Sequence, residues 1–493
     1  MITNVITYLH NAAKNYPDKI ALSDVRGEIT YRELWNRTLS VGSLVSSRLG
    51  GRTSRGVFVT IERNFDSIVA FFGVALSGNF YVPVDLTLPH GRLMSIYDTV
   101  RPELCIIASK VKTNIPFEGC EIINLSEAQI YIPDDTLYER TINTVIDTDP
   151  LYCIFTSGST GVPKGVLISH RGVIDMAEQF VKTFSFDESA VFGNQAPFDF
   201  DVSVKDIYIS LKCAATVHVL EKQLFLMVKR LIERLNDHKV NTLIWAASAM
   251  RIVSALRTFD KITPLYLRQV MFSGEALPVK VLNDWVSHIP DAEYVNLYGP
   301  TEITCNCTYY KINRRFSDSE AIPIGKPFVN SAVFLLDGEI CVRGSCLALG
   351  YYGDHERTEK AFCQNPLQSA YPEKIYRTGD LARYEDGDLI FLGRADSQVK
   401  HMGHRIELGE IEIHANAIGF ITSACCLYDE KREKLTLFYE AKEQDDKAVF
   451  TSLKSALPAH MIPNRLVYMK TMPANRTGKI DRALLKKTYI EEA

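Results

Sequence analysis

Short apolar runs alternate with amphipathic segments along most of the chain. The β-branched and aromatic runs at 105–109, 151–155, 241–245 and 293–298 are typical of buried strands. Between the second and third of these runs, the segment 224–239 repeats apolar residues three and four positions apart, which predicts an amphipathic helix. Strands that alternate with helices predict an α/β fold built on a largely parallel sheet.

The pattern changes in the last third of the chain. Strands become shorter there, and Asp337-Gly338 and Asp386-Gly387 predict the turns of two β-hairpins. Further on, 406–418 predicts a helix and 435–443 a strand. We therefore expect a domain boundary near residue 394 and a small α+β domain after it.

Composition narrows the class of protein. The 493 residues are 46% apolar and 23% charged, which is ordinary for a globular protein. The formal net charge is −4, so the chain as a whole lacks the net positive charge typical of proteins that bind nucleic acid. No run of 18 apolar residues occurs and the first residues do not resemble a signal peptide, so we expect no membrane span and a cytoplasmic location. The eleven scattered cysteines predict reduced, mostly buried thiols.

One segment after a predicted strand concentrates residue types that bind phosphate. Glycines allow backbone N–H groups to approach a phosphate closely, hydroxyl groups add donors, and a lysine adds positive charge. The segment comprises Thr156, Ser157, Gly158, Ser159, Thr160, Gly161 and Lys164. The spacing differs from that of the common phosphate loop ending in Gly-Lys-Ser/Thr, and a polar surface loop is the alternative.

A second segment follows the predicted strand 293–298. Tyr298 is placed to stack on a base, and the carboxylate of Glu302 is a hard oxygen ligand suited to Mg²⁺. Farther along, Asp380 follows a glycine and is placed to accept hydrogen bonds from ribose hydroxyls. Taken one at a time, these residues fit an ordinary turn, and Arg394 or Lys479 fits a solvated surface.

In this order and spacing, the segments resemble the adenylate-forming superfamily, and specifically its stand-alone amino-acid adenylation enzymes of the nonribosomal-peptide type. The stretches 29–34, 78–92, 338–353 and 457–463 extend the resemblance over nearly the whole chain. It implies an α/β fold with a large N-terminal adenylation domain of several sheets (1–394). It also implies a small, mobile α+β C-terminal lid domain (395–493).

The resemblance also implies a reaction. ATP and Mg²⁺ activate an amino acid as an aminoacyl-adenylate with release of pyrophosphate. The acyl group then passes to the phosphopantetheine thiol of an acyl or peptidyl carrier protein acting in trans. The enzyme is expected to be a monomer. Because the attacking carboxylate is already ionised, positioning and positive charge supply most of the catalysis.

Roles are carried over residue by residue from the resemblance. The catalytic set is Lys479, Glu302, Thr301 and Lys164, with Glu302 also the ligand of Mg²⁺. The remaining ATP-binding set is Thr156, Ser157, Gly158, Ser159, Thr160, Gly161, Gly274, Glu275, Asn296, Tyr298, Asp380 and Arg394. Asp396 is the implied hinge, and Gly403 is the implied glycine beside the pantetheine tunnel.

The substrate pocket is implied in the same way. Asp201 matches the aspartate that pairs with the α-ammonium group of an amino acid, with Asp199 as the alternative register. The other pocket residues are Val202, Lys205, Ile244, Met271, Ser273, Leu297, Cys305 and Asn306. Lys205 is unusual: either it meets a carboxylate on the substrate side chain, as in glutamate or aspartate, or its ammonium group reaches outward to solvent and the pocket is merely small to medium in size.

Four alternatives remain open, the most remote being a luciferase-like oxidase, whose oxygen chemistry at the adenylate no residue pattern indicates. D-Alanine–D-alanyl carrier protein ligases share the size of this chain, which departs from them at Lys205 and Ser273. An acyl-CoA synthetase would use CoA in place of the carrier protein, and Asp201 argues against it. A non-catalytic nucleotide- or amino-acid-binding protein is opposed by the presence of Lys164, Glu302, Asp380 and Lys479 together.

Overall fold

The computed structural model describes residues 2–108, 117–157, 162–317, 320–394, 398–473 and 480–491. The chain forms two compact units. The first comprises Met1–Leu86, Val100–Ile154 and Gly165–Ala395, and the second comprises Thr87–Thr99, Phe155–Lys164 and Asp396–Ala493. The division at residue 394 drawn from the sequence stays a prediction, because residues 395–397 lie outside the described ranges.

The strands are numbered in chain order. They are β1 (Ile20–Asp24), β2 (Gly27–Thr30), β3 (Gly56–Thr60), β4 (Phe80–Val84), β5 (Leu104–Ile107), β6 (Glu121–Asn124), β7 (Pro150–Thr156), β8 (Lys164–Ser169), β9 (Val191–Asn194), β10 (Thr216–Val219), β11 (Thr242–Ala246), β12 (Gln269–Ser273), β13 (Glu293–Tyr298), β14 (Thr308–Lys311), β15 (Lys326–Pro327), β16 (Ser331–Leu336), β17 (Glu339–Gly344), β18 (Gly350–Tyr351), β19 (Phe362–Gln364), β20 (Lys374–Glu385), β21 (Asp388–Arg394), β22 (Gln398–His401), β23 (His404–Glu407), β24 (Ile421–Asp429), β25 (Lys434–Ala441) and β26 (Arg465–Met469).

The α-helices are numbered in the same way. They are α1 (Ile6–Asn15), α2 (Tyr31–Arg48), α3 (Phe65–Leu76), α4 (His90–Val100), α5 (Leu125–Gln129), α6 (Leu137–Thr144), α7 (His170–Phe184), α8 (Val202–Cys213), α9 (Val228–Asp237), α10 (Ala247–Ala255), α11 (Val279–His288), α12 (His355–Ala361), α13 (Leu408–Asn416), α14 (Asp446–Ala456) and α15 (Arg482–Lys486). Short 3₁₀ turns cover Lys222–Leu226, Thr258–Asp260, Thr301–Ile303 and Ala459–Met461, and Lys487–Glu491 forms a π-helical turn.

Three sheets organise the first unit. A nine-stranded sheet has the order β15-β14-β13-β12-β11-β9-β10-β1-β2, parallel from β13 to β1 and antiparallel at both margins. A seven-stranded sheet has the order β18-β8-β7-β4-β3-β5-β6, and a five-stranded antiparallel sheet joins β16, β17, β19, β20 and β21. The α/β class predicted from the sequence is therefore confirmed.

Local sequence explains where elements begin and end. Thr30 and Glu33 form a capping box at the start of α2, so backbone N–H groups that the first turn leaves unpaired are satisfied. Asp337-Gly338 joins β16 to β17 and Asp386-Gly387 joins β20 to β21, both with left-handed backbone angles. The two predicted hairpins are therefore present.

The helix predicted over 224–239 is wrong in its first part. A 3₁₀ turn ends at Leu226, Met227 has non-helical angles, and the α-helix runs from Val228 to Asp237. Leu226 and Met227 are exposed rather than buried. Leu226 and Met227 fit the helical spacing of apolar residues in the sequence, but they do not pack on the core.

The second unit includes a small α+β arrangement. The hairpin β22–β23 is followed by α13, and β24, β25 and β26 form a three-stranded sheet against which α13 packs. The predicted helix over 406–418 begins later, at Leu408, because Ile406 belongs to β23. The strand predicted over 435–443 is β25.

All eleven cysteines are free thiols, and most of them are buried. No helix among the described residues combines the length and the apolar character needed to cross a bilayer.

Candidate active site

Adjacent parallel strands place four predicted pocket residues on one face of the nine-stranded sheet. Ile244 of β11 pairs with Met271 of β12, which pairs in turn with Val295 of β13. Side chains two positions apart share a face of a strand, so Ser273 and Leu297 lie on this same face. Ile244, Met271 and Leu297 belong to one hydrophobic cluster of the unit, while the alternate residues Trp245 and Phe272 belong to another.

Helix α8 brings Lys205 to this face. Its ammonium group donates hydrogen bonds to Ser273 Oγ at 3.1 Å and to Asn306 Oδ1 at 2.8 Å, and the residue is 0% exposed. The alternative in which the ammonium group reaches outward to solvent is therefore wrong. Burial lowers the pKa of Lys205, and the carboxyl groups of Asp201 and Asp206 act in the opposite direction.

Asp201 stands at the N-terminal boundary of α8 and is buried, as is Val202 beside it. Asp199 is only half-buried. The thiol of Cys305 donates to the backbone oxygen of Asp201 at 3.1 Å, so the start of α8 is tied to the loop after β13. The structure therefore brings Asp201, Lys205 and Cys305 into one buried region.

Asp206 is a buried carboxyl group that the sequence analysis did not assign. It accepts a hydrogen bond from Asn194 Nδ2 at 2.9 Å. Burial raises the pKa of Asp206 to about 7, against the hydrogen bond from Asn194 and the charges of Lys205 and Arg63. This group therefore changes its charge close to neutral pH.

The loop 301–306 connects the pocket to a further buried carboxylate, that of Glu302. Thr301 and Glu302 lie in a 3₁₀ turn, and Thr304 and Cys305 both have left-handed angles, with φ of 55° and 76°. Glu302 is 1% exposed, and its Oε1 accepts a hydrogen bond from the hydroxyl group of Tyr351 at 2.8 Å. Asn306, the partner of Lys205, lies at the other end of the same loop.

Another buried carboxylate, Asp380, has a partner on each oxygen. The hydroxyl group of Tyr298 donates to Oδ2 at 2.5 Å, and Arg394 forms an ion pair with Oδ1. Asp380 and Arg394 are opposite one another in the β20–β21 register. Burial, followed by the charge of Asp380, raises the pKa of Tyr298 well above its usual value. The phenol therefore stays protonated and acts as a donor.

The other predicted nucleotide residues of the first unit have these positions. Gly274 follows β12 with a left-handed φ of 92°, and Glu275 lies 3.7 Å from Arg251 in an ion pair. Asn296 is buried on β13, and its Nδ2 donates to the backbone oxygen of Pro323 at 2.8 Å.

In the second unit, Thr156 ends β7, Ser157 follows it, and Lys164 begins β8; Ser157 and Lys164 are both buried. Gly403 lies in the β22–β23 turn after Met402, and both residues have left-handed angles. Gly158, Ser159, Thr160, Gly161, Asp396 and Lys479 lie outside the described residues.

Tyr351 is the partner of Glu302 that sequence reasoning missed. It is 49 positions away along the chain, and a buried tyrosine in a short strand reads as an ordinary core residue. The resemblance to the superfamily included the segment 338–353, but it assigned no role to the hydroxyl group of Tyr351. The hydroxyl group of Tyr298, which bonds to Asp380, was missed for the same reason.

Comparison with known proteins identifies the family. The family model described as AMP-binding enzyme matches residues 9–352. A D-alanine–D-alanyl carrier protein ligase from Listeria monocytogenes serotype 4b is 30% identical, with 98% of this chain and 99% of that protein covered. One of the proteins that make up mycosubtilin synthase of Bacillus subtilis is 30% identical over 96% of this chain, which spans 19% of that protein.

A solved structure shares the fold. Holo-PA1221, a nonribosomal peptide synthetase protein containing adenylation and PCP domains, superimposes with a TM-score of 0.85 at 25% identity, covering 98% of this chain and 84% of that one. The resemblance stated from the sequence is confirmed by these matches. The chain therefore belongs to the AMP-binding enzyme family of adenylate-forming proteins and is an AMP-forming ligase.

Proposed function

We propose that this protein activates an amino acid as its aminoacyl-adenylate and transfers it to the phosphopantetheine thiol of a separate carrier protein. The D-alanine–D-alanyl carrier protein ligase matches this chain over almost the full length of both proteins. PA1221 combines an adenylation domain with a PCP domain. Both likenesses support a carrier protein as the partner and an amino acid as the substrate.

The nucleotide is assigned to the Tyr298–Asp380–Arg394 cluster. A buried carboxylate that is already oriented by two donors retains lone pairs for two ribose hydroxyl groups. Arg394 offsets the cost of burying that charge. We assign adenine to the ring of Tyr298, and the phosphates to the segment that begins at Thr156 and ends at Lys164.

Magnesium fits the carboxylate of Glu302. No cluster of three or more His, Cys, Asp or Glu side chains able to hold a metal occurs among the described residues. Mg²⁺ does not need one, since it usually retains several waters and binds one or two carboxylates together with substrate phosphates. Glu302 supplies one buried, oriented oxygen ligand of this kind. Bound there with ATP, the ion would neutralise phosphate charge.

The remaining roles complete the proposal. Thr301 and Lys164 contact the phosphates, and Lys479 bridges the substrate carboxylate and the nucleotide during adenylation. Gly403 serves the thiol-transfer step, and Asp396 is the hinge. Lys479 and Gly403 therefore act in different half-reactions, which separate variants can distinguish.

The substrate class is inferred from Lys205. Its ammonium group has only neutral hydrogen-bond acceptors, Ser273 and Asn306, and no carboxylate of the described residues lies within ion-pair distance. One of its three donors therefore has no acceptor among these residues. A buried cation without an anionic partner is costly, and a carboxylate on the substrate side chain would supply that partner. We therefore propose an acidic amino acid, glutamate or aspartate, with its α-ammonium group on Asp201.

A panel of ATP–pyrophosphate exchange reactions tests this proposal. Single L- and D-amino acids, aryl acids and fatty acids are supplied to the wild type, to Lys205→Met and to Lys212→Met. Lys212 is the matched control because it lies on the same helix and pairs with Glu178 at the surface. We expect the highest exchange with glutamate or aspartate in the wild type and in K212M, and loss of that preference in K205M.

D-Alanine is the second candidate substrate, favoured by the full-length match to a D-alanine–D-alanyl carrier protein ligase. Exchange with D-alanine alone would support it and refute an acidic substrate. Exchange only with aryl or fatty acids would refute the role given to Asp201. Efficient CoA-ester formation without any carrier protein would instead indicate an acyl-CoA synthetase.

A further inference from the structure

Glu302 is held by a separate segment of the chain, residues 346–351. The backbone N–H of Ala348 donates to the backbone oxygen of Glu302 at 2.9 Å. The hydroxyl group of Thr304 donates to the backbone oxygen of Cys346 at 2.8 Å, two residues farther along the same loop. The third contact, from the hydroxyl group of Tyr351 to Glu302 Oε1 at 2.8 Å, reaches the carboxylate itself.

The position of Tyr351 is fixed independently of Glu302. Its backbone N–H donates to Thr358 Oγ1 at 2.9 Å, and it pairs with Val166 in the β18–β8 register. Its ring meets that of Phe362 edge to face, with centroids 5.8 Å apart. The phenol is therefore an oriented donor before any ligand binds.

A fixed donor on one carboxylate oxygen limits rotation of the carboxyl group. The second oxygen therefore keeps one direction. Partners that orient a metal-binding carboxylate in this way typically change metal affinity about 10- to 100-fold when they are removed.

From this arrangement we infer that Tyr351 is a positioning residue that orients Glu302 toward the Mg²⁺ of bound Mg–ATP. The inference rests on the proposed role of Glu302. It does not depend on which acid the enzyme activates, because metal and nucleotide binding are measurable without any acid.

The test measures metal affinity in Tyr351→Phe. Binding of Mn²⁺ is followed by electron paramagnetic resonance in the presence of α,β-methylene-ATP, which cannot be cleaved at the bond that adenylation breaks. We expect the Kd of Mn²⁺ to rise about 10-fold or more. Exchange activity should recover toward the wild-type kcat as Mg²⁺ is raised, because orientation and not a reacting group is lost.

Tyr352→Phe is the matched control. Tyr352 is the next residue, its ring packs against Phe80, and its hydroxyl group bonds to no residue that the structure describes. We expect Y352F to keep the wild-type Kd for Mn²⁺. A wild-type Kd in Y351F would overturn the inference.

A double-mutant cycle separates positioning from general damage. In the Glu302→Gln background the phenol no longer has a metal-binding carboxylate to orient, so Y351F should change the Kd by less than about twofold. An equal effect of Y351F in both backgrounds would show that the phenol acts through packing. If Mn²⁺ binding follows these expectations while amino acids fail to support exchange, the proposed substrate is wrong and the role of Tyr351 stands.

Discussion

Removing one hydroxyl group from the nucleotide cluster tests how the site holds ribose. Tyr298→Phe keeps the aromatic ring and deletes the donor that lies 2.5 Å from Asp380 Oδ2. A hydrogen bond to a charged group contributes about 1.5–3 kcal/mol. Because this bond is already present without ATP, that value is the upper limit of its effect on ATP binding. Since about 1.4 kcal/mol corresponds to a factor of ten, the Kd of ATP should rise by up to about 100-fold. The lower half of that range is expected, because Arg394 still pairs with Oδ1.

Isothermal titration with ATP in the absence of amino acid measures the effect. Tyr294→Phe is the control, because Tyr294 lies on the same strand and, among the residues that the structure describes, its hydroxyl group bonds only to the backbone oxygens of Trp285 and Ile289. With 2′,3′-dideoxy-ATP, which lacks the ribose hydroxyl groups, wild type and Y298F should bind equally. A difference that persists with the dideoxy nucleotide, or no difference with ATP, would refute the assignment of Asp380 to ribose.

Two further predictions concern stability. Burial raises the pKa of Asp206 to about 7. Between about pH 4 and 7 the folded protein therefore binds more protons at this group than the unfolded chain does. This group consequently makes the free energy of unfolding fall as the pH rises through that window. Asp206→Asn should therefore raise the free energy of unfolding, measured with urea, by about 2–3 kcal/mol more at pH 8 than at pH 5. An equal gain at both pH values would contradict this prediction. A Cβ at Gly172 would lie 2.5 Å from Thr304 Oγ1, so Gly172→Ala should cost about 1–3 kcal/mol and lower exchange activity by disturbing the loop of Glu302. A thermal midpoint and a rate unchanged from the wild type would show that Thr304 moves aside freely.

Sequence patterns that involve only neighbouring residues predicted the architecture well. Strands such as β5 and β11 are short, largely apolar runs, and Asp-Gly pairs mark the turns whose backbone angles only a few residue types adopt easily. The helix at 224–239 was misjudged because Leu226 and Met227 match an apolar period while facing solvent. Periodicity records which residues are apolar and not which of them the tertiary fold covers.

Contacts between distant segments were harder to predict. Lys205 was recognised as unusual, but α8 is buried along most of its length, so its sequence did not show which way the side chain turns. The direction of the Lys205 side chain depends on its contacts with Ser273 and Asn306, which are 68 and 101 positions away. Tyr351 became visible only when the structure brought the segment 346–351 against the loop of Glu302.

The measurement that tests the central claim most directly compares glutamate with glutamine, which differ only in having a carboxylate or a neutral amide. The quantity is the ratio of kcat/KM in ATP–pyrophosphate exchange for the two amino acids. A buried charge-assisted hydrogen bond of about 2–3 kcal/mol predicts a ratio near 100 in the wild type and a ratio near one in K205M. A ratio of one or less in the wild type, or the same ratio in both proteins, would contradict the assignment of Lys205 to an acidic side chain.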